Sequence, residues 1–241
     1  MNYYNEIDPY CCEWLQNLID AGEIPPGEID SRSIADVRPE DLDGYTQCHF
    51  FCGISGWSLA LRIAGWPESR SVWTASPPCQ DNSVAVCCHK KRTGTTGSRS
   101  GLVFPWLDLV DAVRPGSIFF ENVPGIQPWL GEIQSRLEAS GYTVSVAIRA
   151  ASDIGAPHQR RRLWLHANRD GKRLPQSWEK RPSSLERDPW ATTPRGLWRS
   201  DYADNGVLGN GISNRVATIR ALGNAIVPQV AAEFIRAFME V

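Results

Sequence analysis

Short apolar runs return along this chain at residues 3–7, 46–52, 72–75, 117–120, 142–148 and 163–166, with stretches of helical spacing between most of them. No other feature of the sequence constrains the fold as much. Runs of four to seven residues are short for helices and read as strands. Those that are apolar throughout are covered on both faces. Covering helices are expected at residues 9–19, where Tyr10, Trp14, Leu15 and Leu18 share a face, and at 57–64, 102–113, 130–139 and 228–239. Residues 22–27 form a Pro/Gly turn, and residues 83–100, rich in Thr, Gly, Ser and Lys, read as a loop. Strands alternating with helices imply an α/β fold with a doubly wound, mostly parallel sheet. Ligands of such sheets bind beyond the carboxyl ends of the strands, and Gly53, Cys79 and Glu121 all fall at such ends.

A length of 241 residues suits one large domain with a small appendage. No run is long and apolar enough to span a membrane, and the first residues lack the basic and apolar regions of a signal peptide. Seven cysteines, an odd number without a repeated C-x-x-C spacing, argue against both a disulfide framework and zinc, so no metal and a cytoplasmic location are expected. The net charge of −2 excludes a protein that coats nucleic acid indiscriminately. The charge is uneven, however: residues 1–43 hold eleven carboxylates and two arginines, whereas residues 160–199 hold eleven basic and four acidic side chains. That basic stretch is either a solvated loop or a surface for phosphates.

Several segments carry chemistry. Cys79 lies in Ser76-Pro77-Pro78-Cys79-Gln80, where two prolines stiffen the chain ahead of the thiol. An isolated cysteine is ordinarily a small buried apolar residue, and a reactive one needs an electropositive, partly open niche. Glu121 follows the apolar strand 117–120, a position where a carboxylate is costly without a partner or a task. Arg160, Arg161 and Arg162 lead into the strand at 163–166. Strand alternation would set Arg160 and Arg162 on one side and leave Arg161 on the other, solvated or near phosphate. The turn Phe51-Cys52-Gly53-Ile54-Ser55-Gly56-Trp57 has two glycines that let main-chain amides approach a ligand.

Taken together, Pro77-Pro78-Cys79-Gln80, Glu121-Asn122-Val123, Pro157-His158-Gln159-Arg160-Arg161-Arg162 and Gly223-Asn224-Ala225-Ile226 resemble the blocks of the cytosine-5 DNA methyltransferases. The resemblance implies a Rossmann-like methyltransferase fold and S-adenosyl-L-methionine as cofactor. It implies that Cys79 attacks carbon 6 of a cytosine, that Glu121 pairs with ring nitrogen 3 and the exocyclic amine, and that Arg162 holds the carbonyl oxygen. Arg160 would support the site, Asn122 would either take part or fix the turn, and His158 stands where the family usually has Gln. The turn is similar to the family's Phe-x-Gly-x-Gly-Gly, with Ser55 replacing one glycine. Phe51, Cys52, Gly53, Ile54 and Gly56 are thereby expected at the cofactor, together with Pro78, Leu102, Asn224, Ala225 and Ile226.

In one respect the order departs from the family. A strand bearing a ribose-binding glutamate and then a third strand usually follow the glycine turn, but only ten residues separate Trp66 from Pro77. A strand–helix–strand unit needs about thirty. The missing blocks resemble segments upstream: Asn5-Glu6-Ile7-Asp8, with Glu6 expected at the ribose beside Ile7, and a stretch beginning Ser33-Ile34-Ala35-Asp36, with Ser33 and Ile34 expected near the adenine. If the helix after Gly56 keeps the family's sheet face, its crossover becomes left-handed, which parallel sheets rarely tolerate. Residues 1–167 and 214–241 are expected to form the catalytic domain and 168–213 a small target-recognition segment. The expected partner is double-stranded DNA, bound by a monomer of prokaryotic or phage origin. An RNA methyltransferase and an inactive nucleic-acid-binding module are the rival readings.

Overall fold

The computed structural model describes residues 1–78, 100–175, 178 and 221–241. Cys79, the loop at 83–99 and nearly all of the 168–213 segment beyond Leu174 and Pro175 lie outside the described residues, apart from Trp178.

Among the described residues, seven strands form one sheet: β1 (Asn2–Asn5), β2 (Gly27–Asp30), β3 (Gln47–Phe50), β4 (Val72–Ala75), β5 (Ser117–Asn122), β6 (Thr143–Arg149) and β7 (Arg162–Asn168). Their spatial order is β2-β1-β3-β4-β5-β7-β6. The first five pair in parallel, and β7 is antiparallel to both neighbours. The helices are α1 (Pro9–Asp20), α2 (Gly56–Ala64), α3 (Val103–Val113), α4 (Gln127–Ala139) and α5 (Pro228–Met239). None of the described helices is long and apolar enough to cross a membrane.

Strand alternation divides the core into two faces. On one face Tyr3, Phe50, Ile118 and Phe120 pack against the short turns at Ile34–Asp36 and Pro39–Leu42 and against α3 and α4. On the other, Phe119 and Trp164 meet α2 and α5, while Tyr4 meets Leu15 of α1 and Leu59 of α2. Burial on both faces explains why β4 and the apolar part of β5 read as nearly continuous apolar runs, with Thr74 the exception in β4. Edge strand β2 was not expected from the sequence. Its Gly-Glu-Ile-Asp has only one buried residue, so it carries little apolar signal.

The face each connection uses decides its hand. From β1 the chain steps outward to β2 through α1, on the Tyr4 face. From β2 to β3, and again from β4 to β5, it steps the opposite way on the Tyr3 face. Reversing both direction and face preserves the hand, so these three connections agree. The step from β3 to β4 runs the same way as that from β4 to β5, yet α2 lies on the Tyr4 face. Its hand is therefore opposite to the others. Since right-handed crossovers are the rule, α2 is the left-handed exception. Trp57, Ala60, Leu61 and Ala64 of α2 are buried together with Val230, Ala231, Phe234 and Ile235 of α5, and this apolar contact holds the helix on that face.

Candidate active site

The parallel strands end along one rim of the sheet, and a cavity of about 610 Å³ opens there. One end is built by β1, β2 and β3. Directly after β1, the Glu6 carboxylate accepts the Gly53 amide at 2.7 Å and the Asp8 amide at 2.9 Å. It therefore ties the strand end to the glycine turn across 47 residues of sequence. Burial raises its pKa, while the amides of Asp8, Gly53 and Ile7 oppose that shift. Two accepted bonds leave further lone pairs on the carboxylate for a ligand. Ile7, Ser33 and Ile34 line the same end, with the Ser33 hydroxyl also accepting the Ala35 amide at 3.4 Å.

The turn itself is tightly bent. Phe51, Gly53 and Ser55 adopt φ of 51°, 54° and 62°, in the left-handed region. Glycine occupies that region freely, but a serine does so at a cost. The Ser55 hydroxyl is moreover buried without a hydrogen-bond partner among the described residues. Phe51, Cys52, Gly53 and Gly56 line the cavity, whereas Ile54 lies outside it, in a shallow depression with Tyr10, Trp14 and Leu222. Gly56 faces the carboxyl-terminal segment so closely that a Cβ there would stand 2.6 Å from Ile226 Cγ1. Asn224, Ala225 and Ile226 close this side, and Leu102, at the start of α3, lines the cavity as well.

The opposite end is built by β4, β5 and β7. Glu121 and Asn122 are the last two residues of β5 rather than residues beyond it, paired with Trp164 and Leu163 of β7. Glu121 is 5% exposed, and Arg162 Nε donates to its Oε1 at 2.8 Å. Burial raises the Glu121 pKa, against the opposing pull of Arg162, Arg160 and the Ser76 hydroxyl. Asn122 donates to the Pro77 carbonyl at 3.2 Å, and its own oxygen accepts the Val123 amide. It thus holds the segment leading into Cys79 against the end of β5. Pro77 and Pro78 line the cavity beside it.

The arginine block departs from strand alternation. β7 begins only at Arg162, and Arg160 sits outside it with φ of 28°. Its guanidinium donates to the carbonyls of Gly223, at 3.0 Å, and Ala225. Arg160 therefore does not line the cavity; it clamps the segment that does. Arg161 and His158 are exposed. Sequence reasoning missed Ser76, Trp57 and Cys11, which also line the cavity. Ser76 stood in view inside Ser76-Pro77-Pro78-Cys79, but nothing in a linear motif shows that its hydroxyl meets Glu121. Among the described residues no cluster of His, Cys, Asp or Glu could hold a metal ion.

A mostly parallel sheet whose rim cavity joins a carboxylate-tied glycine turn to a buried glutamate paired with an arginine has the construction of the Rossmann-like methyltransferases. The model of the C-5 cytosine-specific DNA methylase family matches residues 2–193, and the chain belongs to that family. Among its curated relatives, the type II methyltransferase M.AquIA of Picosynechococcus is 32% identical over 186 residues, covering 69% of this chain and 62% of that protein. M.AgeI of Thalassovita gelatinovora is 30% identical over 113 residues, covering 45% of this chain and 25% of that protein. The chain thus spans less than two thirds of either relative. The methyltransferase EhMeth of Entamoeba histolytica has a similar fold, with a TM-score of 0.50 at 18% identity over 69% of this chain and 44% of that one.

Proposed function

We propose that this protein is a DNA cytosine-5 methyltransferase that uses S-adenosyl-L-methionine. The observation that carries the proposal is the pairing of buried Glu121 with Arg162 at one end of a cavity whose other end is the Glu6-tied glycine turn. The cavity's chemistry fits the cofactor. Glu6 has lone pairs to spare for ribose hydroxyls, Ile7, Ile34 and Phe51 offer apolar walls to an adenine, and Gly53 and Gly56 keep the main chain open to approach. Ser33, Cys52, Pro78, Leu102 and the segment Asn224, Ala225 and Ile226 would complete the enclosure. When bound, the cofactor supplies an electrophilic methyl group for carbon 5 of the base.

The remaining steps belong to this chain. The target cytosine has to leave the duplex stack, because a stacked ring offers no face to a nucleophile. Cys79, as a thiolate, would add to carbon 6. Glu121 in its neutral form would donate to ring nitrogen 3, so that the electron pair displaced by the thiolate is drawn into the ring. Its other oxygen would accept from the exocyclic amine. Arg162 spends Nε on Glu121 and one Nη1 hydrogen on the Arg161 carbonyl, which leaves donors for the cytosine carbonyl oxygen. Once carbon 5 is substituted, loss of its proton restores the double bond, breaks the carbon–sulfur bond and releases the thiolate. Asn122 would hold the cysteine loop in place, and Arg160 would hold the lid of the cofactor end.

Residues 168–213 would supply the target-recognition surface to double-stranded DNA, with a monomer as the working unit. So small a segment presents few side chains to base edges, so a short recognition site of about two to four base pairs is expected. The test incubates the protein with methyl-labelled cofactor and either duplex DNA or transfer RNA. Label on carbon 5 of cytosine in duplex DNA alone is the expected result. Cys79→Ser should abolish it while cofactor affinity stays near wild type, and 5-fluorocytosine at the target should trap the wild type covalently. Label on RNA alone, or near-normal turnover by Cys79→Ser, would overturn the assignment.

A further inference from the structure

We propose that Ser76, held in place by Trp57, is a positioning residue for the Glu121 carboxyl. This inference rests on the methyltransferase reading above and adds to it two residues that the linear motifs leave without a role. Trp57 is the second residue of α2, immediately after the glycine turn, and is 2% exposed. Its ring lies 5.9 Å from Phe119 in a stacked arrangement and 5.7 Å from Trp164 edge-on, so the indole is wedged in one orientation. From there Nε1 donates to Ser76 Oγ at 3.0 Å.

An indole nitrogen can only donate, whereas a serine hydroxyl has one hydrogen and two lone pairs. The bond from Trp57 therefore occupies a Ser76 lone pair and turns the hydroxyl hydrogen elsewhere. Ser76 directly follows Ala75, which pairs with Phe120, so it stands beside Glu121 at the rim of the cavity that both line, and the Glu121 carboxyl is the acceptor we assign to that hydrogen. Glu121 is thus flanked by Ser76, from the segment after β4, and by Arg162 of β7, whose Nε pairs with its Oε1 at 2.8 Å. The charged groups that act on it among the described residues are Arg162 and Arg160. Ser76 differs from both in being neutral: it orients the carboxyl without adding to the positive field that favours ionisation through space. With two donors fixing the plane of the group, the proton of neutral Glu121 has a defined place in the cavity that Glu121 lines.

The consequence is a division of labour in the pH profile. Cys79 must lose a proton, so it governs the limb along which activity rises with pH. Glu121 must keep one, so it governs the alkaline limb. A donor to the carboxylate favours the ionised form, and its removal moves that limb upward.

The test measures kcat for methyl transfer to duplex DNA across pH, at saturating S-adenosylmethionine, for wild type, Ser76→Ala, Ser76→Thr and Trp57→Phe. In Ser76→Ala the alkaline limb should move up by about one pH unit, and kcat at neutral pH should fall roughly tenfold. Trp57→Phe, which keeps an aromatic ring but loses the N–H, should move it less, in the same direction. Ser76→Thr retains a hydroxyl and should restore the wild-type limb. Calorimetry should show S-adenosylmethionine affinity changed by less than about threefold in all three. A uniform loss of rate with the limb unmoved would overturn the positioning role while leaving the methyltransferase reading intact. Failure of the wild type to make 5-methylcytosine in DNA would overturn both.

Discussion

Gly56→Ala probes the junction on which the cofactor end depends. Gly56 is the first residue of α2 and does not have a positive φ, so its backbone admits an alanine. The obstacle is space. The new Cβ would stand 2.6 Å from Ile226 Cγ1 and 3.4 Å from Cδ1, with the Ile226 carbonyl oxygen at 3.6 Å. Ordinary contact begins near 3.4 Å, so Ile226 has to retreat by roughly 0.8 Å. It cannot do so freely, because it is 7% exposed and sits two residues before α5, whose apolar face is packed on α2. Overpacking of this kind costs about 1–3 kcal/mol, and the gain from replacing glycine offsets about 0.4–1 of it. A net loss of about 1–2 kcal/mol in urea denaturation is expected, with weaker S-adenosylmethionine binding by calorimetry. Ile226→Ala alone should cost about 2 kcal/mol or more by leaving a void. In the double variant the void receives the methyl group, so the two losses should fail to add by about 1–2 kcal/mol. Additive losses, together with unchanged cofactor affinity in Gly56→Ala, would refute the claim that the carboxyl-terminal segment seats against the glycine turn.

Three further outcomes follow from the same geometry. Glu6→Ala should weaken S-adenosylmethionine binding by about 1–3 kcal/mol, since a ligand contact is lost and the Gly53 and Asp8 amides lose their acceptor; unchanged affinity by calorimetry would leave Glu6 a structural residue only. Ser55→Gly should stabilise the fold by about 1 kcal/mol, seen as a rise of about 2–4 °C in melting temperature, because it relieves a left-handed serine and removes a buried unpartnered hydroxyl. Glu121→Gln should abolish methyl transfer yet gain stability relative to wild type as pH rises. Burial raises the folded-state pKa of Glu121, so the native state keeps a proton that the unfolded chain has already lost. Wild-type stability therefore falls as pH climbs from the ordinary glutamate value through the raised one, at up to about 1.4 kcal/mol per pH unit for this group, and Gln lacks that dependence. Urea midpoints for the two proteins that differ by the same amount at pH 4.5 and 7.5 would contradict this.

The family's blocks are not simply rotated along this chain. The glycine-turn unit, β3 and α2, comes after the two strands it usually precedes, and the spatial order of the sheet still brings all three strand ends to one cavity. A cofactor contacts strand ends rather than connections, so the connections are free to vary as long as the ends converge. The cost falls on the crossover through α2, which takes the rare hand. The packing of α2 on α5 and on Phe119 and Trp164 holds it there.

The amino-acid sequence alone determined which segments are strands and which are helices wherever a strand is buried on both faces, because full burial favours a nearly continuous apolar run, as in 72–75 and 117–120. It also determined that the second and third blocks cannot follow the glycine turn, since ten residues between Trp66 and Pro77 cannot hold them. Glu121 was legible because a carboxylate at the end of an apolar strand conflicts with local burial unless it has a task, whereas Glu6, Gly53 and Arg162 were legible through their resemblance to the family's blocks. Edge strand β2 escaped notice, as half of an edge is wet and four residues with one buried side chain leave no pattern. Tertiary structure alone decided the order of the strands, the hand of the α2 crossover, the clamp from Arg160 to Gly223 and Ala225, and the placement of Ser76 between the Trp57 indole and Glu121. Each of these joins residues between 19 and 65 positions apart or depends on which face a helix covers. Periodicity records whether a side chain is buried; it does not record what the side chain is buried against.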